Sequence, residues 1–279
     1  MQKIFIDSVK ITIVFKLWFL LLVFLTFTIL QSQDYFGIGL FEQSVSWWDA
    51  NIYNDIALNG YYKQFVKFPD SLIKYGFFPL LPIFLKLIFE LFGLKIIWAS
   101  IIVNTLNLFL LVINLKLYLK SYYNNEKIEK YILATFLIFP YSIFLYMNYT
   151  ENLFLGLTFL SINLLKKDKI FSSNLVGFLL SLTRPNAIII GIFNFIEYLK
   201  YKKKTILKSV SYLTYLLGPI TLFSYFKIKF GNFWLFFDSQ KYYFNKEFNP
   251  FFIFELLKQS LFGTNGLPLK LLKIFQTLI

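Results

Sequence analysis

Residues 11–30 read ITIVFKLWFLLLVFLTFTIL, a run in which Lys16 is the one charged side chain. At 1.5 Å per residue a helix of this length rises about 30 Å, the thickness of a bilayer's hydrocarbon core. Lys3 and Lys10 precede the run, and Gln31-Ser32-Gln33-Asp34 follow it. A signal peptide has a shorter apolar part and ends in a small-residue cleavage site. The run is therefore expected to be a retained anchor with its N-terminal side in the cytoplasm.

The rest of the chain has the same character. Of its 279 residues, 57% are hydrophobic, 22% aromatic and only 15% charged. Water-facing domains carry about 25% charged residues, so a soluble globule, a coiled coil and a disordered chain are all disfavoured. The expected fold is all-α: one polytopic transmembrane domain over residues 1–279. With no Cys and no His, disulfides, thiolate chemistry and imidazole bases are excluded. The net charge of +13 sits in lysine clusters between apolar runs, a pattern that speaks for membrane topology and anionic lipid; no nucleic-acid partner is expected.

Further apolar runs lie at about 96–115, 131–148, 151–165, 170–182, 187–199 and 207–226. Between them stand Lys116/Lys120/Lys127/Lys130, Lys166/Lys167/Lys169 and Lys200/Lys202/Lys203/Lys204. The positive-inside rule puts these clusters in the cytoplasm. The stretch 31–76 carries Asp34, Glu42, Asp49, Asp55 and Asp70 among aromatic residues, which suits an outer loop. With the amino end inside, parity allows one net crossing over 77–115. Residues 77–94 are interrupted by Pro79, Pro82, Lys86 and Glu90, so they are assigned as a re-entrant or interfacial helix within an outer loop 31–95. The polar interruptions Tyr149-Thr150-Glu151-Asn152 and Thr183-Arg184-Pro185-Asn186 then fall on the same outer side as Asp49.

Each interruption has two readings. Asp49, after Trp47 and Trp48, is either a helix cap in an aromatic belt or a general base whose pKa apolar neighbours raise. Thr150 reads as a cap of a helical hairpin turn, beside Glu151 as a contact for a sugar or a cation. Arg184, the single arginine of the chain, either snorkels to headgroups or offers its fork to a phosphate. Gly231 to Gln240 is an aromatic-polar stretch on the same side, a belt or a lipid-binding lip.

Taken in order, Trp48-Asp49-Ala50 with Ile56-Ala57-Leu58-Asn59-Gly60-Tyr61, Phe77-Phe78-Pro79-Leu80-Leu81-Pro82, Phe139-Pro140 with Tyr149-Thr150-Glu151-Asn152-Leu153-Phe154, and Leu182-Thr183-Arg184-Pro185-Asn186 resemble the GPI mannosyltransferase II (PIG-V) family and its bacterial relatives. Thr150 and Asn152 stand where that family usually has serines, and the last third matches loosely. The chain's end at Ile279 is earlier than the resemblance leads one to expect.

The resemblance implies a GT-C membrane glycosyltransferase. It would move a hexose, typically mannose, from a polyprenyl-phosphate donor to a glycan or lipid acceptor on the non-cytoplasmic face. Asp49 would be the base, and Arg184, Glu151, Asn152, Asp55, Trp48, Asn186 and Pro79 the substrate-binding residues. No cofactor is required beyond the lipid-linked donor, and the need for a divalent metal is left open. The expected setting is a bacterial inner membrane with the site facing the periplasm, or an endoplasmic-reticulum membrane with a luminal site. Two alternatives stand beside it: a flippase of lipid-linked glycans, and a non-catalytic subunit that needs a partner.

Overall fold

The computed structural model describes residues 2–30, 45–61, 69–123, 125–200 and 205–244. Expectations resting on Asp34, Glu42, Lys202, Lys203, Lys204 and the chain beyond 244 lie outside these residues. Among the described residues all regular structure is helical. α1 (Gln2–Leu30) carries the first apolar run as one unbroken helix. α2 (Asp49–Asn59), a 3₁₀ segment (Pro69–Gly76) and α3 (Leu80–Phe92) lead to α4 (Ile96–Lys120), the central helix, which packs against α1, α3 and a later helix, α7 (Glu151–Lys166).

The run at 131–148, expected to be one span, is broken. It forms α5 (Glu126–Ile138), a 3₁₀ turn and α6 (Ile143–Tyr146), with a bend of 72°. Pro140 is the reason: a proline excludes the residue before it from helical geometry, and Phe139 sits at ψ 138°. The run 151–165 is α7, and the next two are α8 (Ile170–Ser181) and α9 (Ala187–Leu199). The stretch at 207–226 is a composite of α10 (Ile206–Val210), a 3₁₀ turn and α11 (Thr214–Phe230), and α12 (Leu235–Phe244) follows.

Among the described residues two helical stretches are long and apolar enough to cross a membrane, 96–120 and 206–230, and the bent pair 126–146 would make a third. The helices α7, α8 and α9 have only 16, 12 and 13 residues. The stretch 77–94 gives α3, which buries Leu80, Leu81 and Leu85 on one side and exposes the Lys86–Glu90 ion pair (3.7 Å) on the other. Gly93, left-handed at φ 60°, ends it.

Apolar side chains alone cannot hold helices together in lipid, so close approach and interhelical hydrogen bonds do that work. Asn194 Nδ2 on α9 donates to Ser161 Oγ on α7 (3.1 Å) and to Tyr215 Oη on α11 (2.8 Å). Ser173 Oγ on α8 donates to the Ser161 carbonyl (2.8 Å), and Asn163 Nδ2 on α7 to the Asn114 carbonyl on α4 (2.9 Å). Gly191 lies against the Tyr215 ring, where a Cβ would come within 2.6 Å of Cγ. Gly218 lies against the backbone of Ser181 and donates its N–H to Ser181 Oγ (3.0 Å).

The helices sort the polar residues to two ends. At one end Lys3 pairs with Glu126 (2.8 Å), Lys116 with Asp7 (3.1 Å) and Lys208 with Asp168 (3.9 Å). At the other, the Leu80 N–H donates to the Leu182 carbonyl (3.1 Å), joining the start of α3 to the α8–α9 turn.

Gly218→Ala is expected to destabilise the fold, because the new Cβ meets main chain that cannot step aside. Overpacking of this kind costs about 1–3 kcal/mol. A lowered thermal midpoint in detergent, against an unchanged one for Gly231→Asn at an open left-handed position, would show it.

Candidate functional site

The site is built from three turns that the bundle brings to one end. The first is the start of α2. Trp48 precedes the helix at φ 48°, ψ −121°, a left-handed conformation that costs an L residue about 1–3 kcal/mol. The backbone then enters α2 with Asp49 as its first residue, and no side chain caps it. Of the two readings of Asp49, the cap is not what the structure has: Trp48 holds the N-cap position and Asp49 lies in the first turn. Trp47 and Trp48 are both exposed beside it.

The second turn, Met147 to Thr150, is held from all sides by side chains. Lys16 Nζ of α1 donates to the Tyr146 carbonyl (3.0 Å), and Asn104 Nδ2 of α4 donates to the Met147 carbonyl. Asn152 Nδ2 reaches back to the Leu145 carbonyl (2.6 Å). Asn148 Nδ2 donates to Asn54 Oδ1 on α2 (3.2 Å), which also accepts from Ser100 Oγ on α4 (2.7 Å). These bonds satisfy carbonyls that the broken α6–α7 connection would otherwise leave unpaired.

The third turn, 182–186, supplies Arg184. Its Nε donates to Thr150 Oγ1 (2.6 Å) and its Nη2 to Glu151 Oε1 (2.5 Å). Thr150 stands at the N-cap position of α7 but makes no capping bond. Its hydroxyl accepts the guanidinium instead, and Tyr53 Oη of α2 lies 3.5 Å away. This is a second correction to the cap reading. The guanidinium edge at Nη1 and the Glu151 Oε2 atom have no hydrogen-bond partner among the described residues.

The three charges interact. Burial pushes the Asp49 carboxyl above the usual carboxylate range; the Glu151 charge pushes it further, and Arg184 opposes both. One side of the carboxyl still opens to solvent. Tyr149 closes the other side: its Oη donates to the Trp47 carbonyl (3.2 Å), and burial followed by the Asp49 charge keeps the phenol protonated above its ordinary range. The arrangement offers a strengthened carboxylate base beside a cation whose orientation is set and whose outer edge is free. Among the described residues no three acidic side chains gather as a metal site.

Of the residues expected at the site, Asp49, Glu151, Arg184 and Trp48 come together. Asn152 is fully buried and serves the turn. Pro79 stands before α3, where its carbonyl accepts the Ile83 N–H (2.9 Å), and Asn186 is exposed at the start of α9. Asp55 does not join: it pairs with Lys74, accepts from Asn59 (2.6 Å) and lines a separate hollow with Asn51 and Lys95. Thr150, Tyr53 and Tyr149 were missed as site residues. The four-residue spacing from Asp49 to Tyr53, one helical turn, was the signal that could have found Tyr53.

Because folding raises the Asp49 pKa, the folded state binds more protons than the unfolded one between the two values, and stability falls as pH rises through that window. Above it, ionised Asp49 opposes folding. Asp49→Asn is therefore expected to unfold at or above the wild-type midpoint at pH 7.5, and a clearly lower midpoint would contradict this. No family model, no curated protein and no solved structure matches this chain.

Proposed function

We propose that the chain is a polytopic membrane glycosyltransferase that transfers a hexose, mannose in the first instance, from a polyprenyl-phosphate donor to a hydroxyl acceptor with inversion. The observation that carries this reading is the convergence of Asp49, Glu151 and Arg184, from three separate turns, at the end opposite the lysine clusters. Lysine clusters mark the cytoplasmic side, so the site end faces the periplasm or a lumen.

At 1.5 Å per residue, α8 and α9 rise about 18 Å and about 20 Å, against about 30 Å of hydrocarbon. With their lysine ends at the cytoplasmic boundary, the Arg184 turn lies below the outer boundary, where charge is weakly screened. In that position a lipid-linked phosphate reaches Arg184 without leaving the bilayer.

The reaction needs one base. The acceptor oxygen attacks the anomeric carbon as its proton passes to Asp49, and the bond from that carbon to the phosphate oxygen breaks on the opposite face. Phosphate is a good leaving group, so no general acid is required. The free Nη1 edge of Arg184 stabilises the departing charge. Glu151 and Thr150 act through Arg184 by fixing its plane, and Glu151 also keeps Asp49 basic. Trp47 and Trp48 offer exposed aromatic faces to sugar or isoprenoid.

In proteoliposomes with radiolabelled polyprenyl-phosphate mannose, label is expected to reach an acceptor with the wild type. Asp49→Asn is expected to reduce the rate about 10²–10⁴-fold, as loss of a general base does. An unmodified donor that merely changes leaflet would replace this reading with the flippase.

The acid limb of the rate reports ionisation of Asp49. Glu151→Gln removes a charge that raises its pKa and is expected to move the limb to lower pH. Arg184→Gln removes the opposing charge and is expected to move it to higher pH. Limbs that shift in the same direction, or do not move, would exclude Asp49 as the base.

A further inference from the structure

The lysine end holds a groove that the proposed reaction does not use. It lies between α1 and α5, both of which pack on α4, and encloses about 980 Å³. Lys3–Glu126 and Lys116–Asp7 form ion pairs along its rim. Three more lysines on the rim, Lys10, Lys120 and Lys130, make no ion pair or hydrogen bond among the described residues and face one further acid, Glu129. The rim therefore carries a net positive charge.

Below the rim the walls turn apolar. Val14 and Trp18 on α1 and Ile138 on α5 line the groove and are 65%, 54% and 77% exposed. From Lys10 to Trp18, and from Lys130 to Ile138, each helix rises about 12 Å. A charged mouth thus continues along the helix axes into an open apolar slot. A soluble anion would leave the slot empty, and a neutral lipid would leave the three lysines unanswered.

We propose that this groove is a binding site for one anionic phospholipid, with its phosphate at Lys10, Lys120 and Lys130 and an acyl chain between α1 and α5. The lipid fills the slot between the two helices, which α4 and the Lys3–Glu126 ion pair hold together at the rim. The inference rests on the chain lying in a bilayer with its lysine end at one face, and not on glycosyl transfer, so its test reads lipid retention and no activity.

The full chain, purified in neutral detergent, is titrated with phosphatidylglycerol or phosphatidylcholine of the same acyl length and examined by native mass spectrometry. One phosphatidylglycerol is expected to be retained at least about tenfold better than phosphatidylcholine, since juxtamembrane lysines each favour anionic lipid. The triple variant Lys10→Gln/Lys120→Gln/Lys130→Gln removes the unpaired charges without breaking an ion pair and is expected to lose the preference. Ala134→Trp leaves every charge in place but fills the slot, which Ala134 lines, and is expected to lose the retained lipid. Lys86→Gln/Lys95→Gln/Lys229→Gln, away from the groove, is expected to behave as wild type. Equal retention of the two lipids, a preference that survives both groove variants, or its equal loss in the distant triple variant would each overturn the site.

Discussion

The two hydrogen bonds from Arg184 to Thr150 and Glu151 tie together two turns at one end of the bundle. Each bond joins a break between apolar helices to another such break, and a break is a liability in a bundle of this composition. An interrupted helix leaves carbonyls and N–H groups without partners, and an apolar surrounding charges several kcal/mol for each. The amides of Asn104 and Asn152 and the amine of Lys16 answer the carbonyls of residues 145–147. Arg184 answers the side chains that this turn presents, and Glu151 in turn supplies the counter-charge that a guanidinium in a partly dehydrated setting requires. Once these bonds are in place, the starts of α7 and α9 are held side by side, and the Leu80–Leu182 bond brings α3 to the same point.

The candidate site carries local costs in stability. Trp48 holds a left-handed backbone, burial and a neighbouring carboxylate oppose ionisation of Asp49, and Glu151 Oε2 is buried without a hydrogen-bond partner among the described residues. A more stable chain would have glycine at 48 and an amide at 49. The bundle accommodates the burden because its middle is closely packed: Tyr215 fills the space between Gly177 and Gly191, and Asn194 bonds it there. Rigid helices with small residues at their crossings allow three turns to be positioned without a loop scaffold.

The opposite end is built on different terms. There the acids Glu126, Asp7 and Asp168 are matched one to one with lysines, and Lys166 lies over the rings of Tyr122 (3.3 Å) and Tyr118 (4.7 Å). Cations at this end are partly neutralised by these contacts, as the one arginine at the other end is by Glu151.

Much of this was legible in the residues themselves. A chain so poor in charge reads as apolar helices, and all regular structure among the described residues is helical. Parity of the expected spans put Asp49, Glu151 and Arg184 on one side, and in the structure the three lie close enough to interact. The helix limits at 151, 170, 187 and 199 were visible because apolar runs stop at polar residues, while the break at Phe139-Pro140 was hidden inside an apolar run. What only the tertiary structure decided is which polar groups are bonded within the fold and which keep an open side. Thr150 reads as a cap but receives Arg184; Asp49, open to two readings, lies in the first turn behind Trp48 and interacts with Glu151 and Arg184; Asp55, on the same short helix, turns to Lys74. The physical reason is that a side chain's partner depends on the direction in which its helix face points and on what another helix, tens of residues away, brings there. Hydropathy and spacing carry the depth of a residue in the bundle, and they do not carry its azimuth against a distant neighbour.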